Sequence, residues 1–223
     1  MLTQELISEN IPPIKLSDTG MKALKWMDEF KVAHLPVVEE GKYLGLVSDA
    51  DILDLNMPEK TLHDQLEELE LDDIHVNENQ HVYDAMKLLS ENRLSVIPVL
   101  DNEGKFLGSI SLTHLMEKIA SISAFTDPGS ILVLEVSMSD YSLSQIAQIV
   151  ESNNARILSV FVNNNFEAGT LDVTVKINKT DISPVIQTFQ RYKYFIKSSF
   201  QIDSNYMEDL KSRYEALMKY LKF

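Results

Sequence analysis

Apolar side chains recur along this chain with two periods, and the switches between them mark out its elements. Ala23, Trp26, Met27 and Phe30 sit at spacings of three and four, which lines one face of a helix. Ser17 or Asp18 stands ahead of that stripe as a candidate helix-start cap. Two short apolar runs follow, around residues 35–38 and 43–48, parted by a polar turn that contains Gly41, a hairpin signal. A second stripe of Val82, Ala85, Met86 and Leu89 is again followed by two apolar runs, with Gly104 in the turn. Ser48 and Ser111 then lead into short helices predicted over 49–55 and 112–122. Extended segments are predicted ahead of each long helix, around 11–16 and 74–76.

The two halves of that pattern are copies. Leu35-Pro36-Val37 lies opposite Ile97-Pro98-Val99, at an offset of 62 residues. After one extra residue, Lys42-Tyr43-Leu44-Gly45 and Ser48 lie opposite Lys105-Phe106-Leu107-Gly108 and Ser111. An ordered string of this kind is hard to obtain by chance, and it sets one repeat at 1–58 and another at 59–125. A unit this small buries its own sheet face poorly, so the copies are expected to pack against each other.

Past the turn-rich stretch Thr126-Asp127-Pro128-Gly129 the pattern changes. A strand is predicted over 131–138, then a helix on Leu143, Ile146, Ala147 and Val150, closed by Asn153 and Asn154. A second strand is predicted over 156–162, with Asn163, Asn164 and Asn165 opening a hairpin loop. Leu171, Val173, Val175 and Ile177 alternate with polar residues as a half-buried strand. Ile182, Val185, Ile186 and Phe189 mark a second helix, and 194–202 a last strand. This βαββαβ order over 130–202 predicts a ferredoxin-like sheet with both helices on one face. In the tail, Tyr206, Leu210, Tyr214, Leu217 and Leu221 predict one amphipathic helix over 205–223, a stripe that docks on its own protein or on a partner subunit.

The doubled motif, hydrophobic-Pro-Val followed by Gly-x-x-Ser-x-x-Asp, resembles the CBS domain, which occurs as a tandem pair called a Bateman module. The motif is carried by Gly45, Ser48 and Asp51 in one copy and by Gly108, Ser111 and His114 in the other. The resemblance implies an α+β chain: a CBS pair, then a ferredoxin-like domain similar to the ACT domain, then the tail helix. The combination resembles the bacterial CBS-ACT proteins of the acetoin-utilisation type. It also implies an adenine-nucleotide ligand (AMP, ADP, ATP or S-adenosylmethionine) in the cleft between repeats, with no cofactor required.

By that resemblance the motif Asp accepts the ribose hydroxyls and the Ser faces ribose or phosphate. A carboxylate matches the two donors of a cis-diol, and free N–H groups at a helix start favour phosphate. The first site would be built from Pro13, Ile14, Leu35, Pro36, Ser48 and Asp51. A weaker second site would use Val76, Ile97, Pro98, Ser111 and His114, because His114 stands where the Asp belongs. Ser48 and Asp51 equally satisfy a plain helix-start cap. ACT ligand turns carry an Asp and a Gly where this chain has Met138 and Tyr141, which works against amino-acid capture.

Composition narrows the partners. The 223 residues carry 34 acids against 20 Lys and Arg, a formal charge of −14, which opposes binding to nucleic acid. No cysteine is present, and no apolar run approaches the roughly 20 residues that cross a bilayer. A cytoplasmic, non-membrane protein is expected. His34, His63, His75, His81 and His114 show no metal-ligand spacing, so no metal is expected. No phosphate loop, nucleophile elbow or metal helix suggests an enzyme. The sequence therefore reads as a non-catalytic, homodimeric sensor that regulates a metabolic enzyme or transporter. The alternatives are a dimerisation module without a ligand and an amino-acid sensor working through the ACT-like domain.

Overall fold

The computed structural model describes residues 1–8, 11–69, 71–166 and 168–201, and the chain divides after Ala120 into two compact units. The predicted tail helix lies outside the described residues. In the first unit a 3-10 turn at Thr3–Leu6 precedes α1 (Gly20–Phe30), β1 (His34–Glu39), β2 (Lys42–Ser48) and α2 (Asp49–Asp54). A 3-10 turn at His63–Gln65 then leads to β3 (Val76–Asn77), α3 (Val82–Glu91), β4 (Val96–Leu100), β5 (Phe106–Ser111) and α4 (Leu112–Ala120). Each copy is thus helix, antiparallel hairpin, helix. The cap of α1 is Thr19 rather than Ser17 or Asp18: its hydroxyl accepts the Lys22 N–H at 3.3 Å. Asp18 instead accepts the Lys15 N–H at 3.0 Å and pairs with the Lys22 ammonium at 2.6 Å.

The hairpins alone would leave open edges, which are costly to expose. Each is closed by the segment that precedes the other repeat. Ser8 bridges Ser109 of β5, with its N–H donating to the Ser109 carbonyl at 2.9 Å, and Leu6 enters the core of the second repeat. Reciprocally, Asp72 bridges Leu46 of β2, while Leu69 enters the core of the first. The Tyr43 hydroxyl lies 3.2 and 3.0 Å from the Asp72 and Ile74 carbonyls, and burial pushes its acidity well below that of a free phenol. The opening residues, assigned by sequence order to the first repeat, thus pair with the second. Glycine makes both crossings passable. A Cβ at Gly45 (φ 152°) would lie 2.6 Å from Leu71 Cβ, and one at Gly108 (φ 156°) 2.3 Å from an Ile7 methyl.

The second unit begins with α5 (Ser123–Thr126), then β6 (Ser130–Ser137), α6 (Leu143–Ser152), β7 (Ile157–Asn165), β8 (Thr170–Ile177), α7 (Ser183–Arg191) and β9 (Phe195–Phe200). The antiparallel sheet runs β7-β8-β6-β9, the strand order of a split βαβ unit. Leu132, Leu134, Val173, Val175 and Ile177 pack with Ile146, Val150, Val185 and Phe189 in one core. The asparagine run does not open the hairpin as expected. Asn163, Asn164 and Asn165 continue the ladder against Asp172, Leu171 and Thr170. β7 is an edge strand with an exposed end, so backbone pairing rather than side-chain burial sets its length.

Candidate functional site

The first motif is a closed local circuit. The Ser48 hydroxyl accepts the Asp51 N–H at 3.1 Å and donates to Asp51 Oδ2 at 2.6 Å, while Oδ2 also accepts the Ser48 N–H at 2.9 Å. This is a capping box, which satisfies free donors at the start of α2. Both of these bonds to the carboxylate fall on Oδ2. The second motif caps more simply. Ser111 Oγ accepts the His114 N–H at 3.1 Å, and the imidazole turns toward Glu117, whose carboxylate lies 3.7 Å from Nδ1.

An open cleft of about 320 Å³ lies at this second motif, within the range of small-molecule sites. Ser111, Thr113, His114 and Glu117 form one wall, and Ile11, Phe30, Lys31 and Val32 belong to the other repeat. Lys31 ends α1 in the left-handed conformation, φ 56°, which turns the chain sharply from helix to strand. Its ammonium meets Asp28 at 2.8 Å, and the two side chains are largely exposed. Such a pair is worth little in water, so Lys31 is readily released to a competing anion.

The apolar residues expected at the sites are part of the hydrophobic interior. Ile14, Leu35, Val76 and Ile97 are completely buried and belong to the two cores of the unit. Pro36 and Pro98 are likewise buried within β1 and β4, while Pro13 is half-buried just ahead of Ile14. Ile14 acts through its backbone, donating to the Pro36 carbonyl and accepting from the Val38 N–H, both at 2.9 Å. The apolar residues that line the cleft itself are Ile11, Phe30 and Val32. Linear motif matching missed Lys31, Thr113 and Glu117. The signal available was positional: a cation within two residues of the end of each long helix, Lys31 and Arg93, at the repeat offset of 62.

The repeats meet at a shared polar seam. Ser95 Oγ accepts the Ala33 N–H at 2.9 Å and lies 3.0 Å from His34 Nδ1, which in turn accepts the Ser95 N–H at 3.3 Å. His34 is therefore held neutral at Nδ1. Burial pushes its imidazole below the ordinary histidine value, against the pull of Asp49, Asp51 and Asp72. Among the described residues no cluster of three His, Asp or Glu could hold a metal ion. No described helix is long and apolar enough to cross a membrane.

The CBS-domain family model matches residues 4–57 and again 67–121. Residues 4–57 and 67–121 are two CBS domains in tandem. Inosine-5'-monophosphate dehydrogenase of Methanocaldococcus jannaschii is 21% identical over 149 residues, 66% of this chain and 29% of that one. The chain thus spans less than a third of the dehydrogenase. A CBS domain pair/ACT domain protein from Thermotoga maritima is similar over 53% of this chain and 96% of its own, at 24% identity and a TM-score of 0.47. The plant protein CBSX2, solved in complex with AMP, is similar over 55% of this chain and 98% of its own, at 26% identity and a TM-score of 0.46. The CBS pair of this chain has its motif side chains at two helix starts, and an open cleft at the second.

Proposed function

We propose that the CBS pair is a non-catalytic regulatory sensor for an adenosine-containing ligand: AMP, ADP, ATP or S-adenosylmethionine. The observation that carries this reading is the cleft shared by the α1–β1 junction and the start of α4. Lys31 supplies a cation for phosphate, and the start of α4 supplies N–H groups. Ser111 and Thr113 add hydroxyls, and the Glu117 carboxylate stands in for the motif Asp as acceptor for a ribose diol. Ile11, Phe30 and Val32 offer an apolar wall for the base. Arg93, φ 53°, is the counterpart of Lys31 at the repeat offset of 62, which makes the first motif the alternative place for a site.

A thermal-shift panel of the four compounds tests the reading. At least one should raise the melting temperature, and Lys31→Ala should weaken that ligand about tenfold, the worth of one charge-assisted contact. No shift with any of the four would overturn the sensor and leave a dimerisation module. A loss confined to Arg93→Ala or Asp51→Asn would move the site to the first motif.

Assembly as a homodimer is supported by large apolar side chains left exposed on the same unit. Leu53 of α2 and Met116 of α4 stand at matching repeat positions, with Leu112 beside Met116, and Met57 is exposed as well. Light scattering should give a dimer that Leu53→Lys with Met116→Lys dissociates. We read the second unit as ACT-like from its strand order. A hollow of about 340 Å³ beside Asp140, Gln145 and Lys193 favours amino-acid sensing there as a second reading. However, Tyr141 packs on the core where a ligand turn needs glycine, and Ser137 already engages Asp140 at 2.7 Å. Adding the amino acids to the thermal panel decides between the two.

A further inference from the structure

The cleft at the second motif is short of positive charge. Among the described residues that line it, Lys31 is the one lysine or arginine, set against the carboxylate of Glu117. Lys31 is itself paired with Asp28 at 2.8 Å, so Asp28 competes with any ligand for the same ammonium. The imidazole of His114 lies against Glu117, whose carboxylate is 3.7 Å from Nδ1. Two of the first three N–H groups of α4 are already engaged. That of Leu112 donates to the Ser95 carbonyl at 2.9 Å, and that of His114 to Ser111 Oγ at 3.1 Å. The helix start therefore adds little to Lys31. The chain as a whole carries a formal charge of −14, whose field opposes the approach of any anion.

Resting on the adenosine reading of this cleft, we infer that the site selects the ligand with a single phosphate, and that Lys31 and Glu117 together set that limit. One phosphate monoester carries a charge of about −1.5 to −2 at pH 7. The Lys31 ammonium and the hydroxyls of Ser111 and Thr113 suffice for one such group. A second or third phosphate meets no further cation in the described lining, and the fixed charges beside it are the carboxylates of Glu117 and Asp28. Sites for longer phosphate chains spread several cations along them. S-adenosylmethionine fits less well for the opposite reason: its carboxylate comes with an ammonium that would crowd Lys31. Adenosine itself forgoes the Lys31 contact.

Titration of the full chain with adenosine, AMP, ADP, ATP and S-adenosylmethionine, without divalent cations, tests the limit. AMP should bind tightest, about tenfold tighter than adenosine, the worth of the Lys31 contact. Each phosphate beyond the first should weaken binding about fivefold, the effect of one close like-charge contact in water. ATP or S-adenosylmethionine binding as tightly as AMP overturns this inference and leaves the adenosine reading standing. Binding by none of the five compounds overturns both. Two variants then probe the cause through the ratio of AMP to ATP affinity. Glu117→Gln should weaken AMP, by loss of the ribose acceptor, yet bring ATP several-fold closer to it. A role confined to the ribose would weaken both ligands alike. Thr113→Lys adds a cation at an exposed position in the first turn of α4 and should narrow the gap about tenfold. An unchanged ratio in either variant overturns the proposal.

Discussion

In the first repeat Ser48 accepts the Asp51 N–H at 3.1 Å and returns a 2.6 Å bond to its carboxylate. In the second, Ser111 accepts the His114 N–H at the same 3.1 Å, and the imidazole turns instead to Glu117. The backbone geometry is shared because a helix start needs only a hydroxyl at its cap. The third helical position is then free to carry a carboxylate or a ring. The copy with the better-matched motif has committed half of its carboxylate to the cap. The copy with the altered motif lines the open cleft with residues drawn from its neighbour. Motif identity and site architecture are therefore separate properties of this pair.

Core truncations should have the largest effect and fall equally on both repeats. Leu35→Ala and Ile97→Ala each remove a fully buried side chain and should cost about 2–5 kcal/mol in urea unfolding. Neither should abolish the ligand-induced thermal shift. A variant of full stability that no longer responds to ligand would return these residues to the site.

Next come the crossings. Gly45→Ala and Gly108→Ala force a side chain into left-handed backbone and should cost about 1–3 kcal/mol. The repeats should differ here. Gly45 faces Leu71 Cβ and nearby backbone, whereas Gly108 faces only the Ile7 side chain. Ile7→Ala should thus recover part of the Gly108→Ala loss, while Leu71→Ala, which keeps its Cβ, should not rescue Gly45→Ala.

The caps give a smaller contrast. Ser48→Ala breaks a two-way box and should cost about 1–2 kcal/mol, against about 0.5–1 kcal/mol for Ser111→Ala. Equal costs in chemical denaturation would show that the Asp51 side chain adds nothing to the cap.

The smallest effect concerns the seam. His34 has a folded-state pKa below its unfolded value of about 6.5, so the unfolded chain takes up the proton first as pH falls. Its contribution is therefore complete above about pH 6.5 and declines as pH is lowered through the folded-state value. Thermal unfolding across about pH 7 to 5 should show a decline that His34→Gln flattens. Identical slopes would remove His34 from the coupling between repeats.

Much of this fold was legible in residue order. The stripes of Ala23, Met27, Ala85 and Leu89, the two hairpins and the βαββαβ series all follow from local periodicity, because each face is buried against its own neighbours. The change from Asp51 to His114 was equally visible, since it is a property of the string. The cap of α1 was misplaced by one or two residues, because Ser17, Asp18 and Thr19 are all competent and only the path of the chain chooses among them.

What residue order could not contain was the pairing between distant segments. That Ser8 closes the edge of β5 and Asp72 that of β2 depends on which open edge lies nearest once both repeats have packed. The residues that line the cleft depend on the same event. Lys31 reads as an ordinary helix-end cation until the second repeat brings Ser111, His114 and Glu117 to it. Conversely Leu35 and Ile97, marked by their motif, are withdrawn into the core because mid-strand apolar side chains stabilise the fold most when buried. The sequence by itself determined the repeat, its elements and its asymmetry. Tertiary structure alone decided which side chains meet at the cleft, because that cleft is made between the copies rather than within either.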